Sequence, residues 1–332
     1  MAGPRCSYRS ARHIAAVVAT ASLVVAVLGT APALAAPANR VWVSGHGVDQ
    51  PGCGAPTAAC RSLQYAHDNA VAAGGEIDIL DPAGYGAVTI TKALSIVNDG
   101  VGTAGVQASS GNAISINAGA MDTIYLRGLN IDGLQATGVS GVSFNSGGGL
   151  TVVNCVIRHS SSTGIAINLS PGTINFFISD TILSDDGFAG LITGGGTVGF
   201  SATVNGIVNR VVAGGEHYGI VLSGINNSGS TDFSLLNSLS YGNINAGLYA
   251  RGDDKTFISV QNSTFDFNSD GLYLDGTASA SLWNSSLENN SDFGVNDQST
   301  GSGGVLSGDN NRMTFNTNGP ANLSSLKQEL LK

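Results

Sequence analysis

The feature that most constrains this chain is an internal repeat. A glycine that opens a short apolar run recurs every 23 to 29 residues, and a polar residue precedes each glycine by nine or ten residues. The glycines are Gly164, Gly190, Gly219, Gly247, Gly271 and Gly294, and the polar anchors are Asn154, Asp180, Asn209, Asn237, Asn262 and Asn284. The step inside each unit is nearly constant while the connecting segment varies, which is typical of a solenoid whose coils stack on their neighbours.

The runs that follow the glycines predict strands. Gly219-Ile220-Val221-Leu222 and Gly271-Leu272-Tyr273-Leu274 are short, apolar and bounded by Gly, Asn and Ser, which favours strands over helices. We therefore predict an all-β fold, a single right-handed parallel β-helix of about nine or ten coils over residues 77–306. Parallel strands lie about 4.8 Å apart, so the polar anchors should stack as a structural ladder of side-chain hydrogen bonds at one turn.

The two ends of such a rod need covering, because an open terminal coil exposes unpaired backbone groups. Ser62 is a suitable N-cap, and Leu63, Ala66 and Ala70 share one face. Gly74-Gly75 would end the helix, so a capping helix is predicted over 62–73. Residues 321–332 predict a second, C-terminal cap with leucines facing inward.

The first 35 residues have the pattern of a secretory signal. Arg5, Arg9 and Arg12 precede an apolar run, and Ala33-Leu34-Ala35 provides small residues for cleavage. We expect residues 1–35 to be removed and residues 36–332 to form one domain, secreted to an extracellular or periplasmic compartment. No later stretch is apolar enough for a membrane span.

Cysteine content and charge fit an exported protein. Cys53 and Cys60 flank a short loop and predict a disulfide in an oxidising compartment, while Cys155 lies in an apolar strand and predicts a buried thiol. The net charge is −9, and it becomes more negative when the three signal arginines leave. Such a surface repels phosphate backbones, so nucleic acid is not an expected partner.

Several ionisable residues lie at or beside one turn position of the repeat. Five residues beyond the anchors lie His159, Asp185, Gly214, Gly242, Phe267 and Asn289, with Arg158, Asp186, Glu216 and His217 beside them. If the coils stack in register, the carboxylates on neighbouring coils could act as acid and base on a glycosidic bond, or bind Ca²⁺ together with a uronate. The simpler interpretation, which we favour, is that these charges decorate a solvated turn.

The entry segment of the rod resembles that of the pectin-lyase-like β-helix proteins. The matching segments are Cys60-Arg61-Ser62-Leu63-Gln64-Tyr65-Ala66, Ala72-Ala73-Gly74-Gly75-Glu76-Ile77 and Pro82-Ala83-Gly84-Tyr85-Gly86, and the repeats resemble the NosD-type carbohydrate-binding and sugar-hydrolase domain. This resemblance implies a right-handed β-helix that binds or acts on extracellular polysaccharide.

The catalytic motifs of that superfamily are missing or partial. The Trp-Ile-Asp-His and Arg-x-Pro-x-x-Arg segments of pectate lyases and the Asp-Pro-His-Asp segment of alginate epimerases are absent, and Asp185-Asp186 followed by Glu216-His217 matches galacturonan hydrolases only in part. Whether the protein is an enzyme therefore stays open. A lyase or glycoside hydrolase is the enzymatic option, with Ca²⁺ as the one cofactor to expect for a lyase. The alternative is a non-catalytic extracellular rod or adhesin-like protein.

Overall fold

The computed structural model describes residues 36–323 apart from 169, 195–200, 225–226, 253–254 and 309, and it also describes Met1 and Gly3. Nearly all of the predicted signal peptide and the end of the predicted C-terminal cap, residues 324–332, lie outside the described residues. Among the described residues, no helix is long and apolar enough to cross a membrane.

Thirty strands and one helix run along the described chain. The first are β1 (Ala38–Val43), α1 (Leu63–Asn69), β2 (Val71–Ile79), β3 (Ala83–Gly84), β4 (Val88–Ile90), β5 (Leu94–Val97), β6 (Ala104–Gln107), β7 (Ile114–Asn117), β8 (Thr123–Arg127), β9 (Leu129–Asp132) and β10 (Val142–Ser146). The next are β11 (Gly149–Val153), β12 (Val156–Arg158), β13 (Thr163–Ile167), β14 (Gly172–Ser179), β15 (Ile182–Ser184), β16 (Ala189–Thr193), β17 (Ala202–Asn209), β18 (Val212–Gly214), β19 (Tyr218–Gly224) and β20 (Ser230–Leu236). The last are β21 (Leu239–Tyr241), β22 (Ala246–Gly252), β23 (Thr256–Gln261), β24 (Thr264–Asp266), β25 (Asp270–Gly276), β26 (Ser279–Trp283), β27 (Ser286–Glu288), β28 (Phe293–Ser299), β29 (Gly304–Ser307) and β30 (Gly319–Leu323).

Every third strand pairs in parallel, so the described strands form three long sheets. The eleven-stranded sheet runs β1-β2-β5-β8-β11-β14-β17-β20-β23-β26-β29, the ten-stranded sheet from β4 to β30, and the nine-stranded sheet from β3 to β27. This is a right-handed parallel β-helix of about nine turns, which confirms the predicted fold class. Strand pairing extends beyond the predicted range of 77–306 at both ends.

The core lies inside the coils, where like side chains stack along the rod. One inward row of the eleven-stranded sheet consists of Ile77, Ile96, Leu126, Val152, Ile178, Val208, Leu235, Val260 and Leu282, all at most 1% exposed. Each such side chain contributes roughly 1.5–3 kcal/mol by leaving water. The regular stacking explains why the repeat could be recognised in the sequence.

Helix α1 covers the open N-terminal edge. Ser62 is its N-cap and accepts a hydrogen bond from Tyr65 N. The Gln64 side chain accepts from Thr89 N at 2.7 Å, and His67 Nε2 accepts from Thr91 N at 3.1 Å, so the helix satisfies the edge of β4. It ends at Asn69, not at Ala73, because the chain enters β2 at Val71 and pairs with β1.

Two further sequence predictions meet the structure here. Cys53 and Cys60 form the predicted disulfide. Cys155 is a buried free thiol whose pKa burial raises to about 11, as suits a structural residue. At the other end, Ala321 to Leu323 belong to β30, so the part of the predicted C-terminal cap that is described is strand.

Candidate functional site

The predicted polar ladder lies at the turn after the strands of the eleven-stranded sheet. Asn284 donates through its side-chain amide to Asn262, Asn262 to Asn237 at 3.3 Å, and Asn237 to Asn209 at 2.8 Å. Asn154 and Asp180 hold the turn position in the upstream coils with left-handed φ values of 54° and 53°. The ladder is thus built from amides in its downstream half.

One anchor is displaced by a residue. Asn209 still belongs to strand β17, and Arg210 takes the left-handed position in that coil with a φ of 53°. The Arg210 guanidinium donates two hydrogen bonds to the Asp180 carboxylate, with N–O distances of 2.6 and 2.7 Å. Hydrogen bonds from Arg210 and Ser179 lower the pKa of Asp180 to about 2.

The second turn, after the nine-stranded sheet, holds the residues that the sequence singled out. The left-handed positions are His159, Asp185, Gly215, Gly242, Phe267 and Asn289. Gly215 replaces the predicted Gly214, because the left-handed anchor of that coil is Arg210 and not Asn209, and the step of five residues is unchanged. Each left-handed residue turns the chain sharply, and the residue after it faces inward.

That inward row is buried and was not predicted. Its members are Ser160, Asp186, Glu216, Asn243, Asn268 and Asn290, each at most 3% exposed. The asparagines satisfy one another, since Asn243 Nδ2 donates to Asn268 Oδ1 at 2.8 Å and Asn290 Nδ2 to Asn316 Oδ1 at 2.9 Å. In the upstream half two carboxyl groups replace the amides.

The two carboxyl groups are poorly satisfied. Asp186 Oδ1 accepts from Ser160 N at 2.8 Å, but Asp186 Oδ2 and both Glu216 carboxyl oxygens have no hydrogen-bond partner within the described chain. Burial raises the pKa of Asp186 to about 7, and burial together with the neighbouring Asp186 raises the pKa of Glu216 to about 9. The prediction that these two residues act on a substrate does not fit the structure, because neither side chain reaches the surface.

The remaining predicted residues also do not form one site. Arg158 Nε lies 3.2 Å from Asp132 and His159 Nδ1 lies 3.3 Å from it, so both pair with the preceding coil. Burial raises the pKa of Asp132, but the Leu134 N–H, Arg158 and His159 together lower it below its usual value. Asp185 and His217 are exposed.

The sequence analysis did not identify Asp132, because Asp132 lies one coil upstream of the first polar anchor, Asn154. Its strand pairs Asp132 with Arg158 in direct register, and Asn130-Ile131-Asp132-Gly133 precedes the anchored repeats. Counting one coil further upstream identifies it. The cluster that results is a salt bridge at a turn.

A concave surface lies elsewhere, on the outer face of the eleven-stranded sheet. We call it the groove, with a volume of about 910 Å³. It is lined by Thr123, Gly148 to Thr151, Asn175 to Phe177, Asn205 to Ile207, Asp232 to Ser234, Phe257 to Ser259, Ser279 to Ser281, Ser302 to Gly304 and Leu306. The lining crosses eight neighbouring strands, so the groove runs about 34 Å along the rod at the usual strand spacing.

The groove presents amides, hydroxyls and apolar side chains in rows. Asn205 Nδ2 donates to Asn175 Oδ1 at 2.9 Å, and Asp232 follows in the same row. Phe257 takes the next place in that row and is 53% exposed. The adjacent outward row contains Phe177, Ile207, Ser234, Ser259, Ser281 and Leu306.

One glycine shapes the floor of the groove. Gly206 lies in the inward row between Phe176 and Phe233, and a Cβ there would come within 2.1 Å of the Phe176 ring. The two rings approach across it with centroids 6.2 Å apart. Sequence reasoning could have found the groove from the alternation of outward and inward residues in these strands.

A second surface feature is a partly exposed aromatic row at the ten-stranded sheet. Phe188, Tyr218, Tyr249 and Tyr273 follow one another with ring centroids 5.3 to 5.5 Å apart. Burial raises the pKa of Tyr249 and Tyr273, with the Asp275 carboxylate adding to the effect. These rings pack on one another, so part of their surface is buried in the row and is not accessible to a ligand.

The described residues contain no cluster of three or more His, Cys, Asp or Glu suited to a metal ion. The expectation of Ca²⁺ was tied to lyase activity, and it stays a prediction. In the groove, Asp232 is the only ionisable residue of the described lining.

Comparison with known proteins supports the fold. No family model and no curated protein matches the chain. Among solved structures, the A-module of Azotobacter vinelandii mannuronan C-5 epimerase AlgE4 is 14% identical with a TM-score of 0.50, and the match covers 76% of this chain and 89% of that one.

Two more solved structures are similar. The AlgE6 A-module of the same organism is 14% identical, with a TM-score of 0.47 and coverage of 75% of this chain and 90% of that one. Pectate lyase Pel9A is 15% identical, with a TM-score of 0.46 and coverage of 89% and 85%. At such identities the AlgE4 match is evidence for the fold alone, a right-handed parallel β-helix.

Proposed function

We propose that this protein is a secreted polysaccharide-binding β-helix that holds an extended sugar chain along the groove. The observation that carries the proposal is the length of the groove, about 34 Å across eight strands, together with its alternating chemistry. Sugar rings present apolar C–H faces and a rim of hydroxyl groups. Phe177, Ile207 and Phe257 supply apolar contact, and Asn175, Asn205 and Asp232 supply hydrogen-bond partners for hydroxyls.

Binding without turnover fits the groove better than catalysis. Hydrolysis of a glycosidic bond generally uses two carboxyl groups on either side of the bond, and Asp232 is the single carboxyl group among the described lining residues. The buried pair Asp186 and Glu216 opens to the interior of the coil, away from any sugar. The absence of the lyase and epimerase segments from the sequence points the same way.

The disulfide supports an exported setting. Disulfides persist in oxidising compartments and are rare in the cytosol. Cys53 and Cys60 are joined in the loop that covers β1, where Trp42 N donates to Gly54 O and Cys60 N donates to Trp42 O. Extracellular polysaccharides are the ligands available to such a protein.

Titration of the purified protein with a panel of soluble polysaccharides tests this proposal. The double variant Phe177→Ala/Phe257→Ala should weaken binding by about tenfold or more, because it removes two exposed rings from the groove. Tyr241→Ala is the matched control, an aromatic residue of similar exposure on the nine-stranded sheet, and should leave affinity unchanged.

Two results would contradict the proposal. Equal loss in the groove and control variants would place the ligand elsewhere, and no binding to any polysaccharide would leave the rod as a structural or adhesin-like component. Release of reducing ends or unsaturated products during the titration would establish an enzyme.

A further inference from the structure

The charge of the groove restricts the class of polysaccharide. Among the described residues that line the groove, Asp232 is the only charged side chain, and none is Lys, Arg or His. Lys255, two residues before Phe257, is not among the lining residues. A ligand in the groove therefore meets one negative charge and no compensating positive one.

The cations elsewhere on the described chain are mostly paired already. Arginines that lie within 4 Å of a carboxylate are Arg40, Arg127, Arg158, Arg210, Arg251 and Arg312. Arg61 donates to Gly84 O, and Lys92 donates to two backbone carbonyl groups. With a net charge of −9, the surface offers little to attract a polyanion.

Binding of a uronan needs the opposite arrangement. Sugar carboxylates are recognised by Arg or Lys side chains or through a bridging divalent cation, which itself needs several oxygen ligands. At physiological salt, charges are screened only beyond about 8 Å, so Asp232 would repel a uronate seated beside Phe257. Uncharged sugars meet no such repulsion, and the Asp232 carboxylate can accept hydrogen bonds from their hydroxyl groups.

Resting on the polysaccharide-binding function proposed above, we infer that the ligand of the groove is an uncharged polysaccharide, with Asp232 accepting sugar hydroxyls between Asn205 and Phe257. This ligand class differs from mannuronan, the polyanion named for the AlgE4 module that shares the fold. The difference arises from the lining residues, because the fold itself does not specify them.

A matched pair of probes tests this inference. Polygalacturonate and its carboxyl-reduced form share one backbone and differ in charge, and a neutral β-glucan, a xylan and alginate extend the panel. Each is titrated into the purified protein with and without Ca²⁺. We expect binding to neutral members only, with an affinity that changes less than about twofold between low and high salt.

Variants at Asp232 sharpen the test. Asp232→Asn should weaken binding of the neutral polymer by about tenfold, because a charged acceptor is replaced by a weaker neutral one. Asp232→Lys should bring polygalacturonate binding to a detectable level. Both changes lie on an exposed side chain, and circular dichroism and melting temperature serve to verify folding.

The outcomes separate the inference from the function it rests on. Tighter binding of polygalacturonate than of its reduced form overturns the uncharged class but keeps polysaccharide binding. No binding to any probe overturns both. A stable dimer in sedimentation that Phe257→Arg dissociates also overturns both, since a second copy of the chain would then occupy the groove.

Discussion

The groove and the second turn, which follows the nine-stranded sheet and is called the turn column below, belong to the same coils. They differ in the side chains that they expose. The turn column holds most of the ionisable side chains that the sequence singled out. The structure buries Asp186 and Glu216, pairs Arg158 and His159 with Asp132, and leaves Asp185 and His217 exposed. The described lining of the groove holds one ionisable residue, Asp232, and leaves amides and apolar side chains exposed. An ionisable cluster in a solenoid can therefore serve the coil itself, and binding capacity is better sought where polar and apolar groups remain accessible.

The largest expected effect concerns the buried carboxyl pair. Because the folded-state pKa values of Asp186 and Glu216, about 7 and about 9, lie above those of an unfolded chain, stability should be full below about pH 4 and fall as pH rises through these values. The loss should be on the order of several kcal/mol, since one pKa unit corresponds to about 1.4 kcal/mol. Urea unfolding between acidic and alkaline pH measures it.

Variants identify the source of that pH dependence. Asp186→Asn/Glu216→Gln should flatten the profile. Asp185→Asn, at an exposed neighbour, should change it only slightly, because the Asp185 charge is a minor cause of the raised pKa values and burial is the largest. Asp132 and Ser160 also face the pair and are kept in both variants, and Asp185 is kept in the double variant. A wild-type stability that is flat between pH 4 and 9 would show that the pair does not ionise as the structure implies.

The next effect compares the two amide ladders. Asn268→Ala should cost roughly 3 kcal/mol, because Asn243 N and Nδ2 and the Ser240 carbonyl lose buried partners. Asn262→Ala, in the exposed ladder, should cost only about 1 kcal/mol, mostly from its left-handed backbone. Thermal unfolding of both variants measures the difference, and equal costs would contradict the burial argument.

A smaller effect is expected when charge is removed from the turn column. Arg158→Ala and His217→Ala should leave the affinity for a neutral polysaccharide within about twofold of the wild type, because neither residue lines the groove. Isothermal titration against the same ligand gives the comparison. A tenfold loss of affinity in either variant would show that the turn column takes part in binding.

The smallest effect concerns the exposed fork between Arg210 and Asp180. Arg210→Ala should change the free energy of unfolding by no more than about 1 kcal/mol, since both side chains are solvent-accessible. High salt should reduce the difference further. A larger cost would mean that Arg210 holds the turn through more than its charge.

The sequence predicted the three-strand coil but not which residue takes each turn position. The alternation of anchors and glycines predicts three-strand coils, because each coil repeats the same contacts with its neighbours. It placed Asn209 at the turn, because asparagine adopts the left-handed conformation more readily than arginine, but the pairing of Ser179 with Asn209 puts Arg210 there. Counting five residues from Arg210 then moves the second left-handed position from Gly214 to Gly215.

The direction of side chains at the second turn was also beyond the sequence. Asp185 and Asp186 are adjacent and chemically alike, yet one is exposed and the other is 2% exposed, because the left-handed residue between strand and turn reverses the alternation. The groove depends on the shape of a whole sheet, assembled from eight strands that are 20 to 30 residues apart in the chain, and counting from the polar anchors did not reveal it.

The most direct test of the account is a crystal structure of the protein with a neutral oligosaccharide long enough to span the groove. The account predicts sugar rings against Phe257 and Phe177, with hydroxyl groups hydrogen-bonded to Asp232 and Asn205. Sugar bound instead along the aromatic row of Tyr218, Tyr249 and Tyr273, or over Asp185 and His217, with the groove empty, would contradict it.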